Sequence, residues 1–285
     1  MPRVSVIVPT YRHWPALADC LDALASQTLP AAAVEILIVN NDPSDPVPAS
    51  LCLPGNARLL TEEKAGSYAA RNRALGEARG ELLAFTDADC IPAADWLETA
   101  VAAINPQVPR VAGAVELVFS SARLNAAECF EKAFSFQQAR YVRRGTAVTA
   151  NLIVHRSVFE RMGPFDARLL SGGDFAWNLA ATRAGVPLVY VAHCRVRHPA
   201  RSSRAALFEK HRRIAGAQGF SPGERQSRLL LGFLPSVYAV RQLREDRALD
   251  RRESLLAFLT HYQLKAYRTA IDCSVRLGWS RPARR

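Results

Sequence analysis

Short apolar runs alternate with stretches whose apolar residues recur at helical spacing. The runs Val4–Val8 and Val34–Asn40 are rich in β-branched residues, as buried strands are. Between them, the leucines of Pro15–Ser26 recur at the spacing of one helix face. Because a strand, a helix and a strand follow one another, we predict a parallel βαβ unit with a right-handed crossover.

The same alternation continues along the chain. The further strands predicted are Arg58–Leu60, Leu82–Thr86, Val111–Phe119 and Val186–Val191, and the further helices are Ser67–Arg79, Ala93–Ile104, Asn125–Gln138 and Asp174–Ala184. Elements in this order predict an α/β protein built on one sheet.

Polar residues stand at the ends of three predicted strands, at Pro9–Tyr11, Asn40–Asp42 and Asp87–Asp89. In open α/β sheets, ligands bind beyond the carboxyl ends of the strands. We therefore expect the three loops to line one crevice.

The acids Asp87 and Asp89 follow an apolar run and are separated by one alanine. Where the chain leaves a sheet, two acids this close can turn toward one point, which is the arrangement that a hard divalent cation requires. An isolated pair of this kind is also a common polar turn or helix cap. Its meaning therefore depends on the motifs around it.

Composition indicates an ordinary globular protein. The chain has 285 residues, of which 49% are hydrophobic and 22% charged, which fits one main domain with an appendage. Its 6 cysteines include no close pair, so neither a zinc site nor a disulfide framework is indicated. A reducing cytosol fits this cysteine usage best.

No stretch of the sequence has the features of an export signal or a membrane span. The N-terminus enters a strand pattern directly, without a basic and then apolar leader. The longest apolar stretch, Leu229–Val240, is interrupted by glycine and proline and is shorter than the roughly 20 residues that a spanning helix needs. We expect a cytoplasmic protein without a transmembrane segment.

The formal net charge of +11 resides in the C-terminal part of the chain. Residues 1–199 carry 19 Lys+Arg and 19 Asp+Glu, whereas residues 200–285 carry 18 and 7. Apolar residues at helical spacing in Arg204–Gln218 and Ser254–Val275 predict basic amphipathic helices, which suit an anionic membrane surface. The alternative is a helical cap packed on the sheet domain with its basic side in water. Nucleic acid would attract the same charge, but no motif supports it, and we expect no nucleic-acid partner.

Several motifs occur in a fixed order. They are VSVIVPTYRHWPALADCLDAL, EILIVNND, GSYAARNRAL, ELLAFTDAD, TANLIVHRSVFERMGPFD and SGGDFAW. Together they resemble the inverting family 2 glycosyltransferases of the GT-A fold over roughly residues 3–198. The resemblance implies a Rossmann-like, mostly parallel sheet flanked by helices, with a nucleotide-sugar-binding and catalytic domain at 1–199 and a basic helical C-terminal extension at 200–285.

The resemblance assigns metal and phosphate roles to individual residues. Asp89 matches the acid that holds Mn²⁺ or Mg²⁺ against the donor's two phosphates, and Asp87 matches the acid that faces the ribose or the water shell of the metal. His198 would complete the coordination; His193 is the competing candidate, and either could be a plain loop histidine. Arg71 is expected to contact the diphosphate, although an arginine early in a helix is often only solvated.

The base and ribose of the donor would lie against the first two loops. Pro9, Thr10 and Tyr11 match the loop that lines them. Asn40 and Asn41 occupy positions where the family usually has aspartates. Because an amide can both donate and accept hydrogen bonds, these residues leave the identity of the base open.

The resemblance makes Asp174 the catalytic base. In inverting transfer an acceptor hydroxyl attacks the anomeric carbon opposite the leaving phosphate, and one carboxylate takes its proton. Asp174 could instead cap the helix that it begins, and the two roles are compatible. Ala176 and Ala180 stand where the family often has an acid and an arginine, so acceptor recognition is less predictable.

The expected function is transfer of a single sugar from a nucleoside-diphosphate sugar to a hydroxyl acceptor, with inversion. The acceptor would be a saccharide or a lipid-linked saccharide in cell-surface or lipid-linked glycan synthesis, which would place the enzyme in the cytoplasm or at the inner face of the cell membrane. A QxxRW-type signature of processive synthases is missing. One alternative is a non-catalytic protein of the same fold that binds nucleotide sugars or glycans. A nucleotidyltransferase ranks lower, because VPTYRHWPAL is not a Gly-rich phosphate loop.

Overall fold

A computed structural model of the chain describes residues 1–217, 234–245 and 248–276. The strands found in these residues are β1 (Val4–Thr10), β2 (Val34–Asn40), β3 (Ala57–Thr61), β4 (Leu82–Phe85), β5 (Ile91–Pro92), β6 (Arg110–Val118), β7 (Leu152–His155) and β8 (Val189–Pro199). The helices are α1 (Trp14–Ala25), α2 (Ser67–Glu77), α3 (Trp96–Ala103), α4 (Ala126–Phe134), α5 (Gln138–Val142), α6 (Arg156–Met162), α7 (Gly173–Arg183), α8 (Arg204–Ala217), α9 (Val237–Glu245) and α10 (Arg251–Arg276).

The strands form one sheet in the order β3-β2-β1-β4-β7-β6-β8-β5. β1 pairs in parallel with β2 and β4, and β2 pairs in parallel with β3. β7 is antiparallel to β4 and β6, and β5 is antiparallel to β8. The predicted α/β sheet flanked by helices is confirmed. The sheet is mixed, because β7 and β5 run antiparallel to their paired strands. An apolar run looks alike in either pairing direction, so the sequence alone does not show where the direction changes.

Several predicted elements have different bounds in the structure. The predicted helix Asn125–Gln138 is shorter in the structure: α4 ends at Phe134, before Phe136, whose φ of 51° belongs to the left-handed region. The next helix, α5, begins at Gln138. The predicted strand Val186–Val191 begins at Val189 and continues to Pro199. Residue 218, the predicted end of a tail helix, and residues 229–233 of the longest apolar stretch lie outside the described residues.

The chain divides into two compact units. The first consists of Met1–Glu116 and Gln137–His198, and the second of Leu117–Phe136 and the described residues after His198. The chain crosses between the units three times, and the boundary that we expected at residue 199 lies at the third crossing. The segment 117–136, which we expected in the first domain, belongs to the second unit. Assignment of catalysis to one unit and of an accessory role to the other stays a prediction.

The core of the first unit packs the sheet against α2, α6 and α7. Ile7, Leu37, Phe85 and Leu152 from the strands are fully buried in it. Trp177 of α7 stacks on Phe159 of α6 at 4.2 Å between ring centroids. This aromatic packing fixes α7, whose first turn carries Asp174, against the sheet.

The second unit is helical. α4 begins with a capping box in which the Asn125 and Glu128 side chains each accept a backbone N–H. Its apolar side packs with α8 and α10 through Phe130, Leu207 and Leu264. Within the described residues, no helix has both the length and the apolarity needed to cross a bilayer.

Candidate active site

β4 delivers the acidic pair to the carboxyl edge of the parallel strands. All its residues are buried, and the next residue, Thr86, donates its hydroxyl to the carbonyl of Ala150 at 3.1 Å. The Cys90 N–H donates to the carbonyl of Asp87 at 3.0 Å and closes a turn. Potential ligand atoms of Asp87, Asp89 and Cys90 therefore lie within 4.8 Å of one another.

The donor atoms in this group fit a hard divalent cation. Burial raises the pKa of the Cys90 thiol well above its ordinary value, and the thiol lies 3.9 Å from the carbonyl of Ala150. A protonated, buried thiol is a poor metal ligand, so the carboxylates of Asp87 and Asp89 remain. Carboxylate oxygens are the ligands that Mg²⁺ and Mn²⁺ prefer.

β8 places His198 beside Asp89. The Nε2 atom of His198 lies 3.4 Å from Oδ2 of Asp89, and the histidine is buried. His193 is exposed, because side chains alternate along a strand and His193 stands an odd number of residues before His198. We expected His198 to follow the last strand, whereas it is part of that strand.

Arg71 is buried and pairs with Asp87. Its Nη2 donates to Oδ1 of Asp87 at 2.5 Å, and its Nε has no partner among the described residues. Burial raises the pKa of the Asp87 carboxyl, Arg71 acts in the opposite direction, and the charge of Asp89 raises the pKa further. Arg71 is therefore a counter-ion of the acidic pair, and its contact with a diphosphate stays a prediction.

Asp174 lies in the first turn of α7 and is buried. Gly172 before it has φ of 76°, which favours glycine. Oδ1 of Asp174 accepts from the Tyr68 hydroxyl at 2.8 Å and the Phe175 N–H at 2.9 Å. Oδ2 accepts from the Thr149 N–H at 3.1 Å and, at 3.5 Å, from the Thr149 hydroxyl.

A chain of contacts joins Asp174 to the acidic pair. Tyr68 and Arg71 lie one turn apart on α2, and the Arg71 guanidinium carbon is 5.6 Å from the centroid of the Tyr68 ring. Tyr68 donates a hydrogen bond to Asp174, and Arg71 donates one to Asp87. The charge of Asp174 acts on the Asp87 carboxyl, together with the charges of Asp89 and His198. The structure thus brings the predicted metal, phosphate and base residues into one site.

The first loop follows β1 at the same edge. Thr10 is buried, and its Oγ1 has no partner among the described residues. Pro9 is half-buried and Tyr11 exposed. Arg12, with φ of 57°, donates its Nε to Asp42 at 2.6 Å, so it ties the first loop to the second.

In the second loop the predicted amides hold the backbone. The Asn40 side chain accepts from the Asp42 N–H at 2.9 Å and donates to the Asp45 carbonyl at 3.2 Å. The Asn41 side chain accepts from the Gly66 N–H at 2.8 Å and donates to the carbonyls of Glu62 and Lys64. Both side chains are buried, and contact with a base stays a prediction.

Sequence reasoning missed three residues of the site. Tyr68 and Thr149 contact the Asp174 carboxylate, and Arg12 links two loops. Tyr68 stands in the same GSYAARN motif as Arg71. Because residues three apart lie on one face of a helix, the sequence could have placed Tyr68 beside Arg71 in the site. The shorter contact of Thr149 comes from its backbone N–H, which no residue type reveals.

Known proteins identify the family. The family model for glycosyl transferase family 2 matches residues 5–163, which is more than half of the chain. The chain belongs to glycosyl transferase family 2. This glycosyltransferase is 36% identical over 225 residues to the glycosyltransferase AglE of Haloferax volcanii, an alignment that covers 76% of this chain and 73% of AglE. It is 29% identical to the O-antigen biosynthesis protein RfbC of Myxococcus xanthus over 72% of this chain and 18% of RfbC.

Solved structures confirm the GT-A fold of this glycosyltransferase. The mannosyltransferase PcManGT from Pyrobaculum calidifontis, in complex with GDP-Man and Mn²⁺, matches with a TM-score of 0.57 at 18% identity, covering 98% of this chain and 76% of that one. TarS from S. aureus, in complex with UDP-GlcNAc, matches with a TM-score of 0.56 at 19% identity, covering 98% and 92%. At these identities the likeness concerns the fold alone.

Proposed function

We propose that this glycosyltransferase transfers a single sugar, with inversion and with the help of a divalent cation, from a nucleoside-diphosphate sugar to a hydroxyl acceptor. One observation carries the proposal: α2 joins two acidic centres, since Arg71 bonds Asp87 and Tyr68 bonds Asp174. Two carboxylates on the donor side and a third on the acceptor side provide separate groups for the leaving diphosphate and the attacking alcohol.

On the donor side, Asp89 and His198 would hold Mn²⁺ or Mg²⁺, with Asp87 beside them. When bound, the cation neutralises the charge that grows on the diphosphate as the sugar–phosphate bond breaks. Arg71 would keep Asp87 in place beside the diphosphate. PcManGT carries Mn²⁺ with its donor, which supports the same cation here.

Pro9, Thr10 and Tyr11 would line the base and ribose, with Asn40 and Asn41 shaping the loop beside them. A buried hydroxyl without a partner costs free energy, and a ribose hydroxyl would relieve that cost at Thr10. PcManGT is bound to GDP-Man and TarS to UDP-GlcNAc, so both purine and pyrimidine donors are candidates.

On the acceptor side, Asp174 would take the proton. The acceptor oxygen forms a bond to the anomeric carbon, the bond from that carbon to the phosphate oxygen breaks, and the hydroxyl proton passes to Asp174. Oδ1 already accepts two hydrogen bonds, from Tyr68 and Phe175. Oδ2 accepts from the Thr149 N–H at 3.1 Å and, at 3.5 Å, from the Thr149 hydroxyl, which can rotate toward another partner. Oδ2 is therefore the atom that we assign to the acceptor.

A ligand screen tests the donor side. Purified protein is titrated with UDP-, GDP- and dTDP-sugars, each with Mn²⁺ and with chelator, and unfolding temperature is measured. Since ligands that bind the native state stabilise it, one donor should raise the unfolding temperature only with the cation. Asp89→Ala should abolish that rise, while Asp95→Ala, at the next aspartate along the chain, should retain it.

Turnover then separates an enzyme from a binding protein. Release of nucleotide from the donor that the screen identifies should require the cation in the wild type. Cation-dependent donor binding with no turnover, across a panel of saccharide and lipid-linked acceptors, would instead support the non-catalytic alternative. A donor shift that persists in Asp89→Ala would contradict the proposed metal site.

We further propose that the second unit binds an anionic bilayer, where a lipid-linked acceptor would be presented. Its described residues expose large apolar side chains next to basic ones. The exposed apolar residues are Leu234, Val237, Tyr238, Leu255 and Leu259. Arg241 and Arg244 on α9 and Arg251 and Arg252 on α10 are exposed on the same helices. Apolar and cationic groups side by side are complementary to an anionic lipid surface.

Liposome flotation tests this surface. The protein should float with vesicles that contain an anionic lipid and not with neutral ones. The pair Leu255→Ser and Leu259→Ser should reduce binding, whereas Val47→Ser with Leu53→Ser, at exposed positions of the first unit, should not. No flotation with either vesicle would end the membrane proposal and leave the helices as a packed cap.

A further inference from the structure

Helix α2 holds the acid that we assign as the base. Tyr68 is almost fully buried, and its hydroxyl donates to Oδ1 of Asp174 at 2.8 Å. Burial and the charge of Asp174 raise the pKa of Tyr68 above its ordinary value, so the hydroxyl keeps its proton and remains a donor. A buried phenol that is permanently a donor can orient a carboxylate but cannot replace it as a base.

The residue before Asp174 leaves space for the tyrosine ring. A Cβ built on Gly173 would lie 2.8 Å from Cδ2 and Cε2 of Tyr68, closer than side-chain atoms approach one another. On its other side the Tyr68 ring contacts Phe165 at 5.7 Å between centroids. The ring is therefore held between α7 and the aromatic core, with its hydroxyl directed to the carboxylate.

We infer that Tyr68 is a positioning residue for transfer, which fixes Oδ1 of Asp174 so that Oδ2 is presented to the acceptor hydroxyl. This inference rests on the proposed role of Asp174. Three observations carry it: the short bond from the buried phenol, the second bond to Oδ1 from the Phe175 N–H, and the weaker pair of contacts to Oδ2, at 3.1 Å from the Thr149 N–H and at 3.5 Å from the Thr149 hydroxyl. Because the long contact comes from a hydroxyl that can rotate away, Oδ2 is the carboxylate oxygen that can take a further partner.

The charged and titratable groups around Asp174 define what a substitution changes. Tyr68 contacts it directly, Arg71 lies on the same helix as Tyr68, and Asp87 interacts with it electrostatically. Tyr68→Phe removes one hydroxyl and leaves the ring in its slot. Because the lost bond stabilised the ionised carboxylate, the variant should need a higher pH to reach half of its maximal kcat/KM on the acid side.

The test compares Tyr68→Phe with Tyr190→Phe, a half-buried tyrosine on β8. Tyr68→Phe should lower kcat about tenfold, the size of one hydrogen bond to a charged group, with unchanged donor affinity and with the acid limb moved upward. Tyr190→Phe should change none of these. A Tyr68→Phe enzyme with wild-type kcat and an unmoved acid limb would overturn the inference.

A double substitution separates positioning from general stability and from the proposed function. In an Asp174→Asn background, Tyr68→Phe should cause no further loss of residual turnover, because its target is gone. An equal loss in both backgrounds would mean that Tyr68 only supports the fold, and would overturn the inference. Asp174→Asn with wild-type turnover would instead remove the proposed base itself.

Discussion

At the scale of single residues, two glycines set the geometry around Asp174, the base that we propose. Gly172 supplies a backbone conformation with φ of 76°, and Gly173 supplies space. The run Ser171-Gly172-Gly173 is typical of a turn before a helix, but the steric reason for the second glycine lies in Tyr68, 105 positions earlier. No local pattern contains that contact.

Gly173→Ala should lower kcat at least tenfold, because the new methyl group displaces the Tyr68 ring and with it the hydroxyl that orients Asp174. Steady-state kinetics at saturating donor measures this. Gly76→Ala is the matched control: Gly76 lies on the same helix as Tyr68, and its added methyl meets nothing within 4 Å. The control should keep full activity and gain up to about 1 kcal/mol of stability. Equal kinetics in both variants would contradict the steric account.

At the scale of elements, a buried arginine ties β6 to α7. Arg110 is completely buried and donates to the Asn178 carbonyl and side chain at 3.0 Å, and to the Thr182 hydroxyl at 2.9 Å. It also donates to the carbonyls of Val186 and Pro187 at the end of the helix. Burial lowers the pKa of Arg110 to about 10, so it stays charged at neutral pH. Asn178 in turn donates to the Asp174 carbonyl at 3.0 Å.

Arg110→Lys should therefore destabilise the protein by about 3 kcal/mol, because an ammonium group cannot reproduce the planar set of donors and leaves buried carbonyls unpaired. Urea unfolding measures the change. The control Arg195→Lys, at an exposed position of β8, should stay within about 0.5 kcal/mol of the wild type. A stability of Arg110→Lys equal to that of the control would show that the arginine network contributes little.

The sequence predicts elements better than it predicts their pairing. The βαβ start, β4 and α7 follow from apolar periodicity, and the loops that end β1, β2 and β4 do meet at one edge. Short β5 and β7 and helix α6 were not predicted, since runs of two to seven residues carry too little periodicity. His198 was found by family resemblance. Its burial beside Asp89 depends on β8 continuing to Pro199, and the alternation of Cys194, Arg195, Val196 and Arg197 was a strand signal that the prediction did not use.

At the scale of the whole molecule, the second unit combines excess positive charge with buried histidines. His211 and His261 pack on Phe130, and burial lowers the pKa of His211 to about 3 and that of His261 to about 4. Arg268 and Lys210 lower the pKa of His211 further, and Glu131 opposes them. Both histidines are therefore neutral in the folded protein at pH 7.

The unfolded chain binds protons on these histidines near pH 6.5, whereas the folded unit does so only near pH 3 to 4. Their contribution to stability is thus complete above pH 6.5 and is lost as the pH falls toward 4. Unfolding by urea between pH 7 and pH 4 should show this loss. The pair His211→Gln and His261→Gln should flatten the dependence, while His193→Gln, at an exposed position, should not. An unchanged slope in the double variant would contradict the burial of neutral histidines.

The central claim is that donor and acceptor chemistry use separate carboxylates in one site. The most direct test uses one preparation of Asp174→Asn with the cation present. Donor affinity is measured by titrating the donor, and kcat is measured at a saturating donor concentration. We predict donor affinity within about twofold of the wild type and a kcat lower by at least about 100-fold, the usual size of a lost general base. Wild-type kcat, or loss of donor binding together with turnover, would contradict the account.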